Sequence, residues 1–519
     1  MKKFFNYRPL VSICLFAIAG IVFVSGIYIA DVFHIVLSVL SALALVCTII
    51  VKALMSKEHK LFKLLSIVIS FVLFSLLTFV NLHIATTCND FHGANYIQGR
   101  IAKETYVNQQ GKYVVTLDHA YIYDKVEQKA HKLKGKVMLY LTSSDGRSED
   151  FELGTTVAGE LNLFKPNFSN GKNNFYYANK RIYLLANGGE SNLKEIGTSD
   201  RSLIQKYKLR VKDILEEYLS DDYSSLAYTM LFGDKAGMDE DISSSFSASG
   251  IAHLLAVSGL HVGFIVTMIG FILGLFKASK KTKFVVVSIV AFLYAMLCGF
   301  SVSVSRAFIM TAVLLYFNSK YKENDSLSAL AFAGILLLLI CPIRVYDAGF
   351  RLSFCAVLGI ILLTKPMQRM FSKIFKPKLS STLAVSLSAQ IGTLPAMVFH
   401  FEKLSIFALV ANLLAIPIAS LAFMIMFFFV LLGSIFAPLG IGVYLFEPLM
   451  FVVTKISNVF ASVTFAGANT TLAIVFTFIM IATVFLGSDY SFFDQKYKKI
   501  SYAVGCGLSV LTLVLMFVI

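Results

Sequence analysis

No Gly-x-x-x-x-Gly-Lys-Ser/Thr loop occurs in the 519 residues, so the chain has no nucleotide-gripping P-loop of its own. Anything it moves must be driven by a separate cytosolic motor or by a gradient. There is no Cys-x-x-Cys. The seven cysteines stand at 14, 47, 88, 298, 341, 355 and 506, and only Cys88 lies near the long hydrophilic segment 85–200. That segment therefore cannot close a disulfide within itself. His-Glu-x-x-His is lacking, and Ala256-Val-Ser-Gly-Leu260 has neither outer glycine of a Gly-x-Ser-x-Gly elbow. Repeats of 20–50 residues and low-complexity stretches are absent, which excludes solenoids and biased tails. Charge is scarce as well. At 15% charged and 57% hydrophobic residues, with mean hydropathy +0.74, the composition excludes an ordinary soluble domain and marks a polytopic membrane protein.

The net charge of +15 looks like a nucleic-acid footprint until it is located. Loops 1–9, 52–63, 277–283, 318–326, 364–379 and 488–500 hold 21 Lys/Arg against 5 Asp/Glu, which accounts for the whole excess. Short basic loops are the cytoplasmic signature, so the charge reports topology rather than DNA. The basic N-terminus lacks a small-residue cleavage site and leads straight into another span, so it reads as a retained anchor.

In chain order, 10–30, 33–51 and 61–82 read as three spans of an N-terminal membrane region, 1–84. With Lys2, Lys3 and Arg8 inside, the third delivers segment 85–200 to the outer face. Runs 96–107, 112–117, 135–141, 154–164 and 181–186 are strand-like, separated by turn clusters such as Asn108-Gln-Gln-Gly111, Ser143-Ser-Asp-Gly146 and Asn167-Phe-Ser-Asn-Gly171. Five short strands suit a small OB-type barrel. Tyr96, Tyr106, Tyr113, Tyr121, Tyr123, Phe175, Tyr176 and Tyr177 offer aromatic faces for a single strand. With 14 basic and 13 acidic residues, however, the segment is almost neutral, and aromatics at strand spacing also serve as core. Residues 201–222 carry a basic amphipathic helix, which suits the headgroup layer or a clamp on phosphates.

Residues 223–519 are nearly all membrane. Candidate spans are 251–276, 284–300, 306–317, 327–341, 350–364, 380–400, 412–436, 441–465, 471–487 and 501–519. Alternating their loops puts every basic loop inside, giving about thirteen spans. Segments 306–317 and 400–418 are expected to be broken or re-entrant, a form tolerated only where backbone lines a protein cavity.

The stretch Gly250–Val262 and five further polar islands interrupt these spans. In Gly250–Val262, His253, Val257 and His261 fall on one helical stripe with Ser258 just off it, and Gly259 and Gly263 allow a close helix approach. Leu231-Phe-Gly-Asp-Lys235 places Asp234 and Lys235 before the membrane. Gly299-Phe-Ser-Val-Ser-Val-Ser-Arg306 alternates serines and ends in arginine. Asp347 and Arg351 stand four apart, able to pair. Ala389-Gln-Ile-Gly-Thr-Leu-Pro395, with Gln390, and Asn412-Leu-Leu-Ala-Ile-Pro417 each join an amide to a helix-breaking proline. Each island alone is a packing histidine, a snorkelling charge or a helix-packing amide. Together they predict a polar interior. A zinc site on His253 and His261 would lack a third ligand, and Ser258 as a hydrolase nucleophile would lack its elbow.

Together the islands resemble the competence domain of ComEC-type DNA-internalisation proteins. The resemblance is carried by Gly233-Asp-Lys235, the His253–His261 string, Ser305-Arg-Ala307, Asp347–Phe354 and Gln390–Pro395, and more weakly by Gly159-Glu-Leu and Asn173-Asn-Phe-Tyr-Tyr177 in the segment 85–200. It implies a plasma-membrane channel that carries one strand of transforming DNA inward, with an OB-like domain outside. The implied partners are single-stranded DNA, the lipid bilayer, an external DNA receptor, a separate nuclease and a cytosolic helicase-type motor. Many family members continue into a metallo-β-lactamase-like nuclease. No His-x-His-x-Asp-His string occurs among the nine histidines here, so nuclease activity is not carried over, nor is the family's outer disulfide.

The expected fold is thus a polytopic α-helical membrane protein with an inserted small all-β OB-like extracytoplasmic domain. Its pore or DNA path is expected to use His253, Ser258, His261, Asp234, Lys235, Arg306, Asp347, Arg351 and Gln390, with no catalytic residue, metal or cofactor. Two other readings stay open: a secondary transporter of a small anionic solute and an intramembrane hydrolase.

Overall fold

A proline at the first helical position loses no hydrogen bond, and Pro9 opens α1, Pro9–Ile29. The helix packs on α2, Lys60–Thr87, through small and hydroxylated residues. Ser70 Oγ donates to the Ile13 carbonyl at 2.9 Å, and Ser75 Oγ donates to that of Gly20 at 3.2 Å. These coordinates come from a computed structural model. The residues it describes are 9–29, 60–88, 91, 93–102, 105–107, 112–124, 129–142, 154–166, 175–189, 193–198, 202–234, 237–321, 325–401, 403–404, 407–461 and 465–466. The expected spans 33–51, 471–487 and 501–519 lie outside them, as does Lys235.

The segment between α2 and the bundle is a β-barrel. Its elements are β1 Gly93–Ile101, β2 Tyr106–Val107, β3 Tyr113–Asp124, β4 Lys129–Lys132, β5 Lys136–Thr142, β6 Thr155–Phe164, α3 Tyr176–Asn179, β7 Ile182–Gly189 and β8 Leu193–Thr198. The order β1-β3-β5-β7-β6 closes through a β6–β1 pairing, with β5 and β7 parallel and the other four contacts antiparallel. Alternation decides the faces: Val137, Leu139 and Leu141 of β5 enter the barrel core, while Met138 and Tyr140 point outward beneath Tyr177 of α3. The five barrel strands overlap the five expected runs. β3 extends to Asp124, well past its expected end, and the short β2, β4 and β8 are additional.

The helical part comprises α4 Leu203–Tyr218, α5 Asp221–Phe232, α6 Glu240–Ala248, a 3₁₀ turn Ala252–Leu254, α7 Gly259–Leu275, α8 Lys280–Leu297, α9 Val302–Ser319 and α10 Ser326–Ile340. After a 3₁₀ segment Pro342–Tyr346 come α11 Ala348–Phe371, α12 Pro377–Phe401, β9 Lys403–Leu404, α13 Ala408–Ile435, a 3₁₀ segment Ala437–Leu445, α14 Phe446–Ala461 and β10 Phe465–Ala466. Serine and aspartate start these helices because their side chains accept otherwise orphaned N–H groups: Asp239, Ser258, Ser279, Asp325 and Asp347 all do so. One apolar core joins α4 to α9 with α13 and α14.

Among the described residues, five stretches are long and apolar enough to cross a membrane: Leu65–Thr87, Val302–Ser319, Ala348–Phe371, Ala408–Ile435 and Ala437–Ala461. Pro9–Ser25, Gly259–Leu275 and Ser326–Ile340 are apolar but shorter. This is a membrane protein, with fewer such helices described than the thirteen spans expected from hydropathy.

Of the two expected breaks, one is absent. Segment 306–317 lies inside the continuous α9, and α12 and α13 run through Pro395 and Pro417. A bundle tolerates proline in a helix because neighbouring groups satisfy the freed carbonyl. The second expected break, 400–418, does hold an interruption: α12 ends at Phe401 and α13 begins at Ala408, with β9 Lys403–Leu404 between them. The amphipathic helix α4 forms as expected, opened by a reciprocal Ser202–Gln205 cap. Its apolar face packs on protein, with Ile214 against Gly433 and Gly440.

Candidate functional site

Gly250–Val262 is not one helix, so His253 and His261 share no helical stripe. Ala252–Leu254 make a single 3₁₀ turn, and Ser258 is extended (φ −119°, ψ 170°). The reason is local. Ser258 Oγ accepts from the Leu260 N–H at 3.2 Å, and the Ser258 N–H donates to Nδ1 of His261 at 3.2 Å. This reciprocal cap starts α7 at Gly259 and stops the period running back through Val257. His261 is 1% exposed, its ring lies 4.5 Å from that of Phe423, and its Nε2 is buried without a partner. His253 is exposed and within electrostatic reach of His261.

Arg306 sits in the second turn of α9 and is only 6% exposed. Its Nε donates to Ser353 Oγ of α11 at 2.8 Å, and Nη1 lies 3.8 Å from Met310 Sδ. A Cβ added to Gly259 would stand 2.5 Å from Nη2, so the guanidinium occupies space that only glycine leaves at the start of α7. Gly263 meets nothing, so of the glycine pair only Gly259 serves a close approach. Among the described residues no carboxylate pairs with Arg306. The first turn of α7 and the second turns of α9 and α11 therefore meet at one guanidinium. Helix N-termini carry partial positive charge, and a buried charge without a counter-ion is costly. Ser301 Oγ and Ser305 Oγ in the same stretch are also buried and unpartnered.

Asp347 lies outside the helix that carries Arg351, so the expected face-to-face pair is not how these residues are used. Asp347 caps α11: its Oδ1 accepts from the Phe350 N–H at 3.0 Å, and its Oδ2 accepts from Asn179 Nδ2 of the barrel at 2.6 Å. Arg351 donates from Nε to the Val345 carbonyl at 2.9 Å, with its guanidinium 5.2 Å from the Tyr346 ring centroid. Tyr346 in turn bonds to Ser25 Oγ of α1 and packs 4.6 Å from Phe175 of the barrel. Barrel, N-terminal helices and bundle thus join two turns from Arg306.

Leu231–Asp234 reaches the same region. Gly233 ends α5 at φ 75°, close to Val257, and Thr229 Oγ1 donates to the Asp234 carbonyl at 2.7 Å. Gln390 belongs to another helix pair, on α12, which meets α11 where a Cβ on Gly359 would come 2.9 Å from Gly392 Cα. Gln390 Nε2 and Asn412 Oδ1 are both buried without partners. No group of three His, Cys, Asp or Glu among the described residues could hold a metal.

On the barrel side, Lys180 stands over Tyr176, 4.0 Å from the ring centroid, and donates to its hydroxyl at 2.5 Å. Burial pushes the Lys180 ammonium below the ordinary lysine value while Asp347 pulls it back up. Lys180 still meets solvent. Sequence reasoning passed over Asn179, Tyr346 and Ser353. Ser353 lay inside a polar island, whereas Asn179 carried no signal that could have marked it.

The fold and site define a polytopic membrane protein with a barrel insert and a buried arginine that no described carboxylate pairs. The family model described as "Competence protein" matches residues 230–489, half of the chain, and the chain belongs to that family. It is 31% identical over 199 residues to ComE operon protein 3 of Bacillus subtilis (strain 168), covering 38% of this chain and 25% of that protein. It is 28% identical over 239 residues to Recombination protein 2 of Haemophilus influenzae, covering 43% and 30%. An uncharacterized protein of Aquifex aeolicus is 32% identical over 196 residues, covering 37% and 43%. The chain thus spans a quarter to under half of the length of these relatives. No solved structure matches.

Proposed function

We propose that this protein carries single-stranded DNA across the cytoplasmic membrane during natural competence. The observation that supports this most is Arg306: a buried guanidinium, free of carboxylates, where the N-terminal halves of three helices meet in a protein of the competence family. Phosphates are the anions such a site favours, through charge-assisted hydrogen bonds and helix dipoles. In this reading His253, Ser258 and His261 shape the wall of the path. Asp234, Lys235, Asp347 and Arg351 tune its charge, and Gln390 lines it further along. The barrel is an OB-type domain on the outer face, and a receptor, nuclease and motor act as separate partners.

The test is labelled-DNA uptake by the native bacterium carrying Arg306→Ala, with membrane levels matched by immunoblot. A hydrogen bond to a charged group is worth about 1.5–3 kcal/mol, so uptake should fall roughly 10- to 100-fold. Arg306→Lys should restore part of it. Undiminished uptake in Arg306→Ala overturns the reading.

A further inference from the structure

Five polar side chains of the barrel gather on the side that meets the bundle. Tyr140 on the outer face of β5 shares a 2.9 Å hydrogen bond with Tyr177 of α3. Tyr177 meets Tyr176 edge to face at 5.3 Å, and Lys180 lies over the Tyr176 ring. Tyr106 of β2 is within electrostatic reach of Tyr176, Tyr177 and Asp234, and Tyr176 is within reach of Asp347. These aromatic groups are not core: Tyr106 is 38% exposed and Tyr176 41%. The next residues of α3 tie it to the bundle, since Asn179 donates to the carboxylate that caps α11.

Resting on the channel reading above, we propose that Tyr106, Tyr176 and Lys180, braced by Tyr140 and Tyr177, form a platform that stacks the bases of a single nucleic-acid strand where it enters the bundle. Charge decides in favour of bases over phosphates. The segment 85–200 carries 14 basic and 13 acidic residues, and Asp234 and Asp347 flank the cluster. Phosphate attraction alone is therefore weak here, whereas stacking on an aromatic face needs no net charge. A duplex hides its base faces, so the platform selects an unpaired strand. The same residue types also suit a lipid headgroup layer. The placement over the cap of α11, whose second turn holds the Ser353–Arg306 bond, favours the strand.

The experiment uses the full chain in nanodiscs of neutral lipid, with binding read by fluorescence anisotropy. The probes are a labelled oligothymidylate, an abasic strand of equal length and a duplex. Wild type should prefer the oligothymidylate. Tyr176→Ala and Tyr106→Ala should each weaken it about tenfold, with little change for the abasic strand and a shallow salt dependence. Tyr176→Phe should bind as wild type, because stacking uses the ring and not the hydroxyl. Tyr123→Ala, in an exposed row on β1 and β3, should change nothing. Equal affinity of wild type for abasic and base-bearing strands overturns the proposal. So does a Tyr176→Phe loss as large as that of Tyr176→Ala, or binding that follows the anionic lipid content of the disc. Arg306→Ala separates the two ideas. Base-dependent binding beside unimpaired uptake in that variant keeps the platform and removes the channel reading; blocked uptake with no base preference does the reverse.

Discussion

In the barrel, Arg100 meets Asp118 through two hydrogen bonds, Nε to Oδ1 at 2.9 Å and Nη2 to Oδ2 at 3.0 Å. In the bundle, the more deeply buried Arg306 meets one serine hydroxyl and one thioether. The contrast extends to neutral groups. Eight buried side-chain atoms among the described residues lack a partner, and all of them lie in the helical part: those of His261, Ser288, Ser301, Ser305, Thr364, Ser388, Gln390 and Asn412. Natural structures rarely leave buried polar groups unpaired, and membrane interiors penalise it further. The barrel therefore spends its polar groups on its own fold, whereas the bundle holds several in reserve, which the proposed path would use.

The largest effect is expected where that reserve can be removed without touching the fold. Gly259→Ala places a methyl group 2.5 Å from Arg306 Nη2, the free end of a flexible side chain. The guanidinium should swing aside and leave Ser353. Labelled-DNA uptake should drop about tenfold, the scale of one charge-assisted hydrogen bond, at unchanged membrane level. Gly263→Ala is the matched control, since nothing lies within 4 Å of its new methyl. If both variants take up DNA normally, the bundle's unpaired arginine is structural and the contrast with the barrel loses its meaning.

Truncating the barrel core should have the opposite signature, a loss of stability that stays local. Leu139 is fully buried inside the barrel. Leu139→Ala should cost about 2–5 kcal/mol. Hydrogen exchange on the full chain should accelerate in β3, β5 and β7 and leave α7 and α9 unchanged. Acceleration that spreads equally through the bundle would mean that the two parts fold as one unit.

A milder probe uses pH. Tyr140 is raised above the ordinary tyrosine value of 10.0, first by burial and then by its bond to Tyr177. The unfolded chain loses the proton near 10, while the folded one keeps it. The associated stability is fully present below pH 10 and drains away as the pH climbs toward the folded value. The barrel should loosen above about pH 10, and Tyr140→Phe should flatten that dependence when read by local hydrogen exchange.

What the sequence made legible follows the same division. Composition and flanking turn clusters marked the run 135–141 that holds Val137, Leu139 and Leu141 as a strand, because both are local patterns. Arg306 was legible because an arginine within an apolar run has few structural uses. The Ser258 cap was not, since a serine three residues before a histidine reads equally well as mid-helix, and apolar residues continue on both sides of it. Asn179 was invisible for a different reason: its partner is 168 residues away, and only the docking of α3 on α11 gives its amide a role. Local periodicity is written in the chain, whereas junctions between distant elements are not.

The smallest expected effect tests the barrel's side of the contrast. Arg100 and Asp118 are each 26% exposed, so water screens their attraction, although the paired hydrogen bonds fix the geometry. The Asp118 bond holds the Arg100 guanidinium above its ordinary arginine value, with burial opposing. Partly exposed ion pairs contribute about 0–1 kcal/mol. A double-mutant cycle of Arg100→Ala and Asp118→Ala, read by hydrogen exchange in β1 and β3, should give a coupling in that range and shrink in high salt. Uptake should stay unchanged in both single variants, because this pair serves the fold alone. A coupling of several kcal/mol, or lost uptake with intact exchange, would place Arg100 with Arg306 and erase the difference between the two regions.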